Sequence, residues 1–247
     1  MPVLVIAIGL AVVGSIGGLL VAATLLLFKD RVRVRLVPWL VSFAVGALLA
    51  VALLDLLPEA LEALSPAAAF GTLLAAILAF FALEKFLLWR HCHADHCEIH
   101  HAAAPLILIG DAFHNFVDGA VIAAAVHVSV PLGVTTAVAV AAHEIPQEVG
   151  DFAILLGAGY SRVKALWLNV LSGLSAVLGV LVAGLAIDRA PAVLPYFLPV
   201  AAASFLYVAM SDLIPSLHRG PFVKGAFRQV LAVVAGILAI VAFAAHD

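Results

Sequence analysis

Apolar stretches of roughly 20 residues follow one another along the whole chain, and each is about long enough to cross a bilayer as a helix. No other feature limits the fold so strongly. The chain is 66% hydrophobic with a mean hydropathy of +1.23. Only 11% of it is charged, against about 25% in a soluble domain. The class is therefore an all-α polytopic membrane protein. Eight spans are expected, at about 2–28, 36–57, 67–89, 102–128, 131–158, 164–187, 191–217 and 223–245. The first has no basic leading region and is too long for the apolar part of a signal peptide, so it is read as a true helix. No soluble domain, long linker or tail is left over, and residues 1–247 are read as one transmembrane domain.

Lys and Arg set the orientation, because cytoplasmic loops collect them. With the N-terminus outside, the inner loops hold Lys29, Arg31, Arg33, Arg35, Lys85, Arg90, Arg162, Lys164, Arg219, Lys224 and Arg228, and the outer side keeps only Arg189. One span more or fewer would scramble this alternation. Both termini then face out. Asp55-Leu56-Leu57-Pro58 lies near the end of the second span and Asp212-Leu213-Ile214-Pro215 near the end of the seventh, at opposite faces of the membrane. This is either a helix-end habit or the trace of an inverted repeat, a feature of transporters. The repeat reading makes the fold 3+2+3, with helices 1–3 and 6–8 as the repeats and helices 4 and 5 as the unique centre.

Spans 4 and 5 are joined by a short turn around Ser129 to Pro131 and must run antiparallel. Span 4 carries Asp111, His114, Asn115 and Asp118; span 5 carries His143, Glu144, Gln147, Glu148 and Asp151. At about 100° per residue, Asp111, Asn115 and Asp118 fall within roughly 100° of His114, and the polar residues of span 5 within roughly 140° of His143. His114 and His143 are equidistant from the turn, so both sets sit near mid-bilayer. A central acidic residue costs about 2.5–3.5 kcal/mol even on the lenient insertion scale, so five would cost on the order of 15 kcal/mol in lipid. No Lys or Arg lies in these two spans to offset them. A proton on each carboxylate is one answer. A bound divalent cation is the other, and imidazole, carboxylate and amide oxygen are donors for such an ion. Pro146 removes a backbone donor and frees the Ala142 carbonyl beside this cluster; a packing kink explains it equally well.

HNFVDG at 114–119 and HEIPQEVGD at 143–151 resemble the metal-binding motifs of the ZIP family of divalent-metal transporters, and HEIPQE is closest to its histidine-rich HExPHE-type branch. The resemblance extends over the whole chain: eight helices, outside termini and a His-containing loop between helices 3 and 4. It implies a two-metal centre. A first site would use His114, Asp118, His143 and residue 147; a second would use Asn115, Asp118, Glu144 and Glu148, with Asp118 bridging. Gln147 departs from the His or Glu usual there and offers a neutral oxygen, a weaker ligand for zinc. The resemblance also implies an elevator-type carrier in which helices 1, 4, 5 and 6 move against 2, 3, 7 and 8.

The loop 91–101 reads HCHADHCEIHH. His91, Cys92, His93, His96, Cys97, His100 and His101 match no closed zinc-finger spacing, and on the reducing cytosolic side the cysteines are thiols. They are read as a loose metal receiver at the exit. Asp111 and Asp151, on the cytosolic half of their helices, fit a path toward it. Asp55 and Glu59 could attract cations at the entrance or simply end a helix. Ser172 and Ser175 share one side of span 6 and could touch the carrier core. Glu84 is read as interfacial and His127 falls off the polar face of span 4.

These residues point to uptake of divalent cations into the cytosol, Zn2+ first, with Cd2+, Fe2+ and Mn2+ as further candidates and no organic cofactor. The partners are metal ions and the lipid bilayer, not nucleic acid; a homodimer is left open. The membrane expected is the bacterial cytoplasmic (inner) one. The alternative is an intramembrane zinc metallohydrolase, because His143-Glu144-Ile145-Pro146-Gln147 resembles H-E-x-x-H. Gln147 in place of the second His, and Pro146 at the centre, count against it.

Overall fold

The computed structural model of the chain describes residues 2–25, 27–28, 30–89, 99–218 and 225–244. His91, Cys92, His93, His96 and Cys97 of the expected receiver loop lie outside them, and His100 and His101 contribute only helical backbone. The elements are α1 (Pro2–Leu25), α2 (Asp30–Ala50), a π-helical turn (Val51–Leu56), α3 (Leu57–Ala63), α4 (Pro66–Trp89), α5 (Ile99–Val128), α6 (Val130–Gly157), α7 (Arg162–Gly173), α8 (Ser175–Arg189), a 3-10 turn (Pro191–Val193), α9 (Leu194–Tyr207), a second π-helical turn (Val208–Leu213), α10 (Ile214–Leu217) and α11 (Ala226–Ala244). Among the described residues there is no strand. Seven helical stretches are long and apolar enough to cross a membrane. The eighth, α6, has 28 residues and is long enough, but it carries Glu144, Glu148 and Asp151.

The central hairpin turns on one residue. Ser129 is extended (φ −157°, ψ 153°), and its Oγ accepts from the Leu132 N–H at 3.2 Å. That side-chain acceptor satisfies one of the free N–H groups of the new helix. Pro131 sits in the first turn of α6, where no intrahelical bond needs its missing N–H. α5 and α6 therefore leave the turn as antiparallel neighbours, with their polar stretches level.

The two Asp-x-x-Pro segments share a local structure. Each lies on a six-residue π-helical turn, VALLDL and VAMSDL. The Leu57 N–H bonds to the Ala52 carbonyl, and the Ile214 N–H to the Ala209 carbonyl, each five residues back. Pro58 and Pro215, which follow, have no N–H for the next bond. A proline mid-helix also clashes with the carbonyl four residues behind it, and widening the turn relieves that clash. The second stretch consequently continues to Ala63, beyond the boundary of about 57 expected for the second span.

Packing divides the described helices into two sets. α1, α5, α6, α7 and α8 pack on one another; α2 packs on α11, and α4 and α3 pack on α9. The sets meet where α2 lies on α6 and α5 lies on α9. Two crossings are backbone against backbone. A Cβ on Gly119 of α5 would strike the Ala176 carbonyl of α8, and one on Gly179 the Phe116 carbonyl. Gly46 and Gly236 face the carbonyls of Val233 and Phe43 in the same reciprocal way, between α2 and α11. Small residues permit such close approach, and dispersion and hydrogen bonding, not hydrophobicity, hold helices together in lipid. Overpacking typically costs about 1–3 kcal/mol, and a carbonyl of a packed helix cannot swing aside as a side chain can. Gly119→Ala is expected to lower the thermal unfolding midpoint of the purified protein by several degrees, whereas Gly71→Ala, whose Cβ would meet nothing within 4 Å, should not.

Candidate metal centre

α5 places His114 and Asp118 one turn apart on the face turned to α6, and α6 answers with His143 and Glu144. The His143 Nδ1–H donates to the Ala139 carbonyl at 3.0 Å, which fixes the tautomer and leaves Nε2 with a free lone pair. That Nε2 lies 3.0 Å from His114 Nε2, 3.1 Å from Asp118 Oδ2 and 4.0 Å from Glu144 Oε1. His114 Nε2 is 3.5 Å from the same Asp118 oxygen. Acceptors thus converge on one point. Tetrahedral zinc, with bonds of about 2.0–2.1 Å, would separate its ligands by roughly 3.3 Å, within the range seen here.

A second convergence adjoins the first. Oxygens of Asp111, Glu144 and Glu148 lie within 4.8 Å of one another, the same limit that the four ligand atoms of the first group meet. Glu144 belongs to both groups. His143, Glu144 and Glu148 are fully buried, Asp118 is 1% exposed and Asp111 is 4% exposed. Both oxygens of Glu144, both of Glu148 and Oδ1 of Asp118 meet no hydrogen-bond donor among the described residues. A buried carboxylate with neither donor nor counter-charge is costly, so this donor set fits a cation that the protein does not itself supply.

α1 closes the centre on one side. A Cβ on Gly18 would come within 2.9 Å of the Glu144 Cβ, and one on Gly14 within 3.4 Å of the Ala137 carbonyl. On another side Phe205 of α9, itself fully buried, packs edge-on to the His143 ring at 6.1 Å between centroids. Hydroxyls hold the periphery. Ser172 of α7 donates to Asp111 Oδ2, and Ser175 of α8 to the Ala112 carbonyl.

The residues singled out from the sequence divide as follows. His114, Asp118, His143, Glu144 and Glu148 come together. Asp111, assigned to a pathway, stands in the second group itself. Asn115 lies beside it, with its Nδ2 donating to Asp111 Oδ1 at 3.0 Å and its Oδ1 accepting from Ser15. Gln147 and Asp151 are half-buried on α6. Asp55 and Glu59 line a separate cavity of about 360 Å³ at the α5–α6 turn, with Glu62 and Thr135. A cavity of about 310 Å³ at the opposite end reaches His114 and is walled by Glu84, Tyr207, Ser211 and Asp212. Glu84 accepts from the Tyr207 hydroxyl there and so lines a cavity that touches the centre. Ser15 carried no signal in the sequence, because it is a lone hydroxyl in an apolar run. His127 donates from Nδ1 to the Ala123 carbonyl and faces Asp188 at 3.3 Å, apart from the centre.

The fold and this site define an α-helical membrane protein with a buried nitrogen–oxygen centre for cations. The family model described as ZIP Zinc transporter matches residues 88–244. The chain is similar to Zinc transporter ZIP13 of Pongo abelii, 35% identical over 222 residues that cover 83% of this chain and 66% of that protein. It is 31% identical to ZIP13 of Homo sapiens over 261 residues, covering 83% and 70% respectively. With Zinc transporter ZIP4 of Mus musculus it shares 46% identity over 112 residues, 45% of this chain but only 17% of the relative. The chain therefore belongs to the ZIP family. It spans about two thirds of the ZIP13 proteins and less than a fifth of ZIP4.

Replacing a buried carboxyl that no donor meets with a neutral amide should stabilise the protein when no metal is present, at the expense of metal binding. Glu148→Gln is expected to raise the unfolding temperature in chelator and to shrink the further rise that zinc produces. Differential scanning calorimetry in detergent reads both.

Proposed function

We propose that the chain carries divalent cations, zinc first, through the membrane toward the cytosol, with the α5–α6 centre as its mid-membrane binding station. The observation that carries this reading is the convergence of His114, Asp118, His143, Glu144, Asp111 and Glu148, in which oxygens of Asp118, Glu144 and Glu148 meet no donor among the described residues. The relatives' names, all zinc transporters, support the cargo. Cadmium, iron and manganese are further cargoes for a set that mixes imidazole with carboxylate. The first group, with two imidazoles, suits zinc; the second, all oxygen, suits harder ions or a second zinc.

In this reading the Lys/Arg asymmetry puts both termini outside, and the membrane is taken to be a bacterial inner one. Asp55, Glu59 and Glu62 then gather cations at the outer mouth, and Glu84 and Asp212 line the inner one. The ion leaves by ligand exchange toward Asp151 and the His/Cys loop. The two packed sets, α1 with α5–α8 and the rest, are the bodies of an elevator: the centre is built only from the first set, and the second supplies the surface it slides along. The chain may be written as two inverted three-helix repeats around the hairpin, and the paired π-turns support that. The hydrolase reading has less behind it: Gln147 stands where H-E-x-x-H needs its second His, and α6 carries Pro146 inside the motif.

Liposomes reconstituted with the purified chain test the proposal. Zinc entry, read with an internal dye, is expected to exceed that of empty liposomes and to fall to their level in His143→Ala/Asp118→Ala. Entry by that double variant at the parent rate would refute the site. The ligands must shed protons before they bind metal, so binding releases protons and weakens as pH falls. Zinc affinity measured by calorimetry is accordingly expected to drop from pH 7.5 to 5.5, with more heat exchanged in buffers of high ionisation enthalpy. An affinity that is flat across this range contradicts ligation by these groups.

A further inference from the structure

Asn115 is the one amide of the hairpin with both ends committed. Its Nδ2 donates to Asp111 Oδ1 at 3.0 Å and to the Asp111 carbonyl at 3.2 Å. Both are pure acceptors if the carboxylate is ionised, so the nitrogen must face them and Oδ1 must face the other way. There it meets Ser15 of α1, whose Oγ–H donates to it. Ser15 is buried, and its Oγ also lies 3.3 Å from the Gly173 carbonyl of α7. Ser172, next to that glycine, donates to the other oxygen of Asp111. One chain of hydrogen bonds thus runs from α1 through α5 to α7, and it leaves each Asp111 oxygen with one neutral donor.

We infer that Ser15 is a positioning residue for the second group: through Asn115 it holds the Asp111 carboxylate toward Glu144 and Glu148. The inference rests on the metal-centre reading proposed above. The slot for it is built. A Cβ on Gly173 would fall 2.9 Å from Ser15 Oγ and 3.8 Å from Asn115 Oδ1, so a side chain there would push the Ser15 hydroxyl out of its place in the relay. Three residues along α1, Gly18 gives Glu144 the same room. α1 therefore reaches two of the three members of the second group, Asp111 by a hydroxyl relay through Asn115 and Glu144 by absence of a side chain. Without the hydroxyl, Asn115 Oδ1 is a buried acceptor with no donor, and the amide is free to turn its oxygen toward Asp111. The carboxylate then loses a hydrogen bond and is repelled. Partners that orient a metal ligand in this way typically matter by about 10–100-fold in affinity.

The test is calorimetric titration of the purified full chain with Zn2+ and with Mn2+, in the parent, Ser15→Ala, Ser15→Thr, Asn115→Ala and the Ser15→Ala/Asn115→Ala double variant. Expected is a two-step isotherm for the parent. Ser15→Ala should weaken one step at least about tenfold and leave the other, which His143→Ala abolishes, unchanged. Ser15→Thr, which keeps the hydroxyl, should retain parental affinity. In the Asn115→Ala background, loss of Ser15 should change nothing more, because the relay is already cut. The inference is overturned if Ser15→Ala matches the parent, if it weakens both steps equally, if Ser15→Thr loses as much, or if the loss persists in the Asn115→Ala background. A parent that binds no ion would instead overturn the metal-centre reading, and the inference with it.

Discussion

A cluster of acidic side chains in the middle of the membrane, with no Lys or Arg beside it, governs this structure. Five acidic residues lie on α5 and α6, with no Lys or Arg on either helix. The fold does not dilute them over separate surfaces. It gathers Asp118 with Glu144, and Glu144 with Asp111 and Glu148, into two adjoining groups whose ligand atoms lie within 4.8 Å of one another inside each group, and buries them among helices. Such an arrangement is unfavourable for the empty protein and favourable for a visiting dication. It is also suited to release, since a site made of mutually repelling oxygens holds its ion only while the geometry lasts.

The surrounding packing follows from that need. Helices can bury such a centre only by coming close, and the close approaches occur at glycines. Gly18 admits Glu144, and Gly173 admits Ser15 and Asn115. Gly119 and Gly179 lock α5 to α8 through reciprocal contacts with backbone carbonyls, and Gly46 and Gly236 lock α2 to α11 in the same way. Close backbone contacts thus join helices within each set, while apolar side chains such as Val117 of α5 and Phe197 of α9 line a cavity where the two sets meet.

Much of this was legible in the amino-acid order. A run of apolar stretches dictated helices, and the 100° step put His114 with Asp118 on one face and His143 on the face opposite. The short Ser129–Pro131 turn set them level. Less was legible wherever the third dimension brought in a distant helix. Asp111 looked like a pathway residue because angle and depth alone cannot say that Glu144 and Glu148 reach it. Ser15, a hundred positions from Asn115, gave no periodic signal at all. Pro58 reads as the end of a helix, yet a widened turn absorbs it and the helix goes on. The two π-turns became visible as a pair only once their backbone hydrogen bonds were known, although Asp55-Leu56-Leu57-Pro58 and Asp212-Leu213-Ile214-Pro215 already hinted at kinship.

Anomalous scattering at the zinc edge, from crystals of the purified chain grown with zinc, addresses the central claim most directly. The account predicts a peak between α5 and α6, about 2.0–2.2 Å from His114 Nε2, His143 Nε2 and an Asp118 oxygen. A second, weaker peak is predicted among Asp111, Glu144 and Glu148. Strong zinc peaks elsewhere on the protein, with none between these two helices, would contradict it.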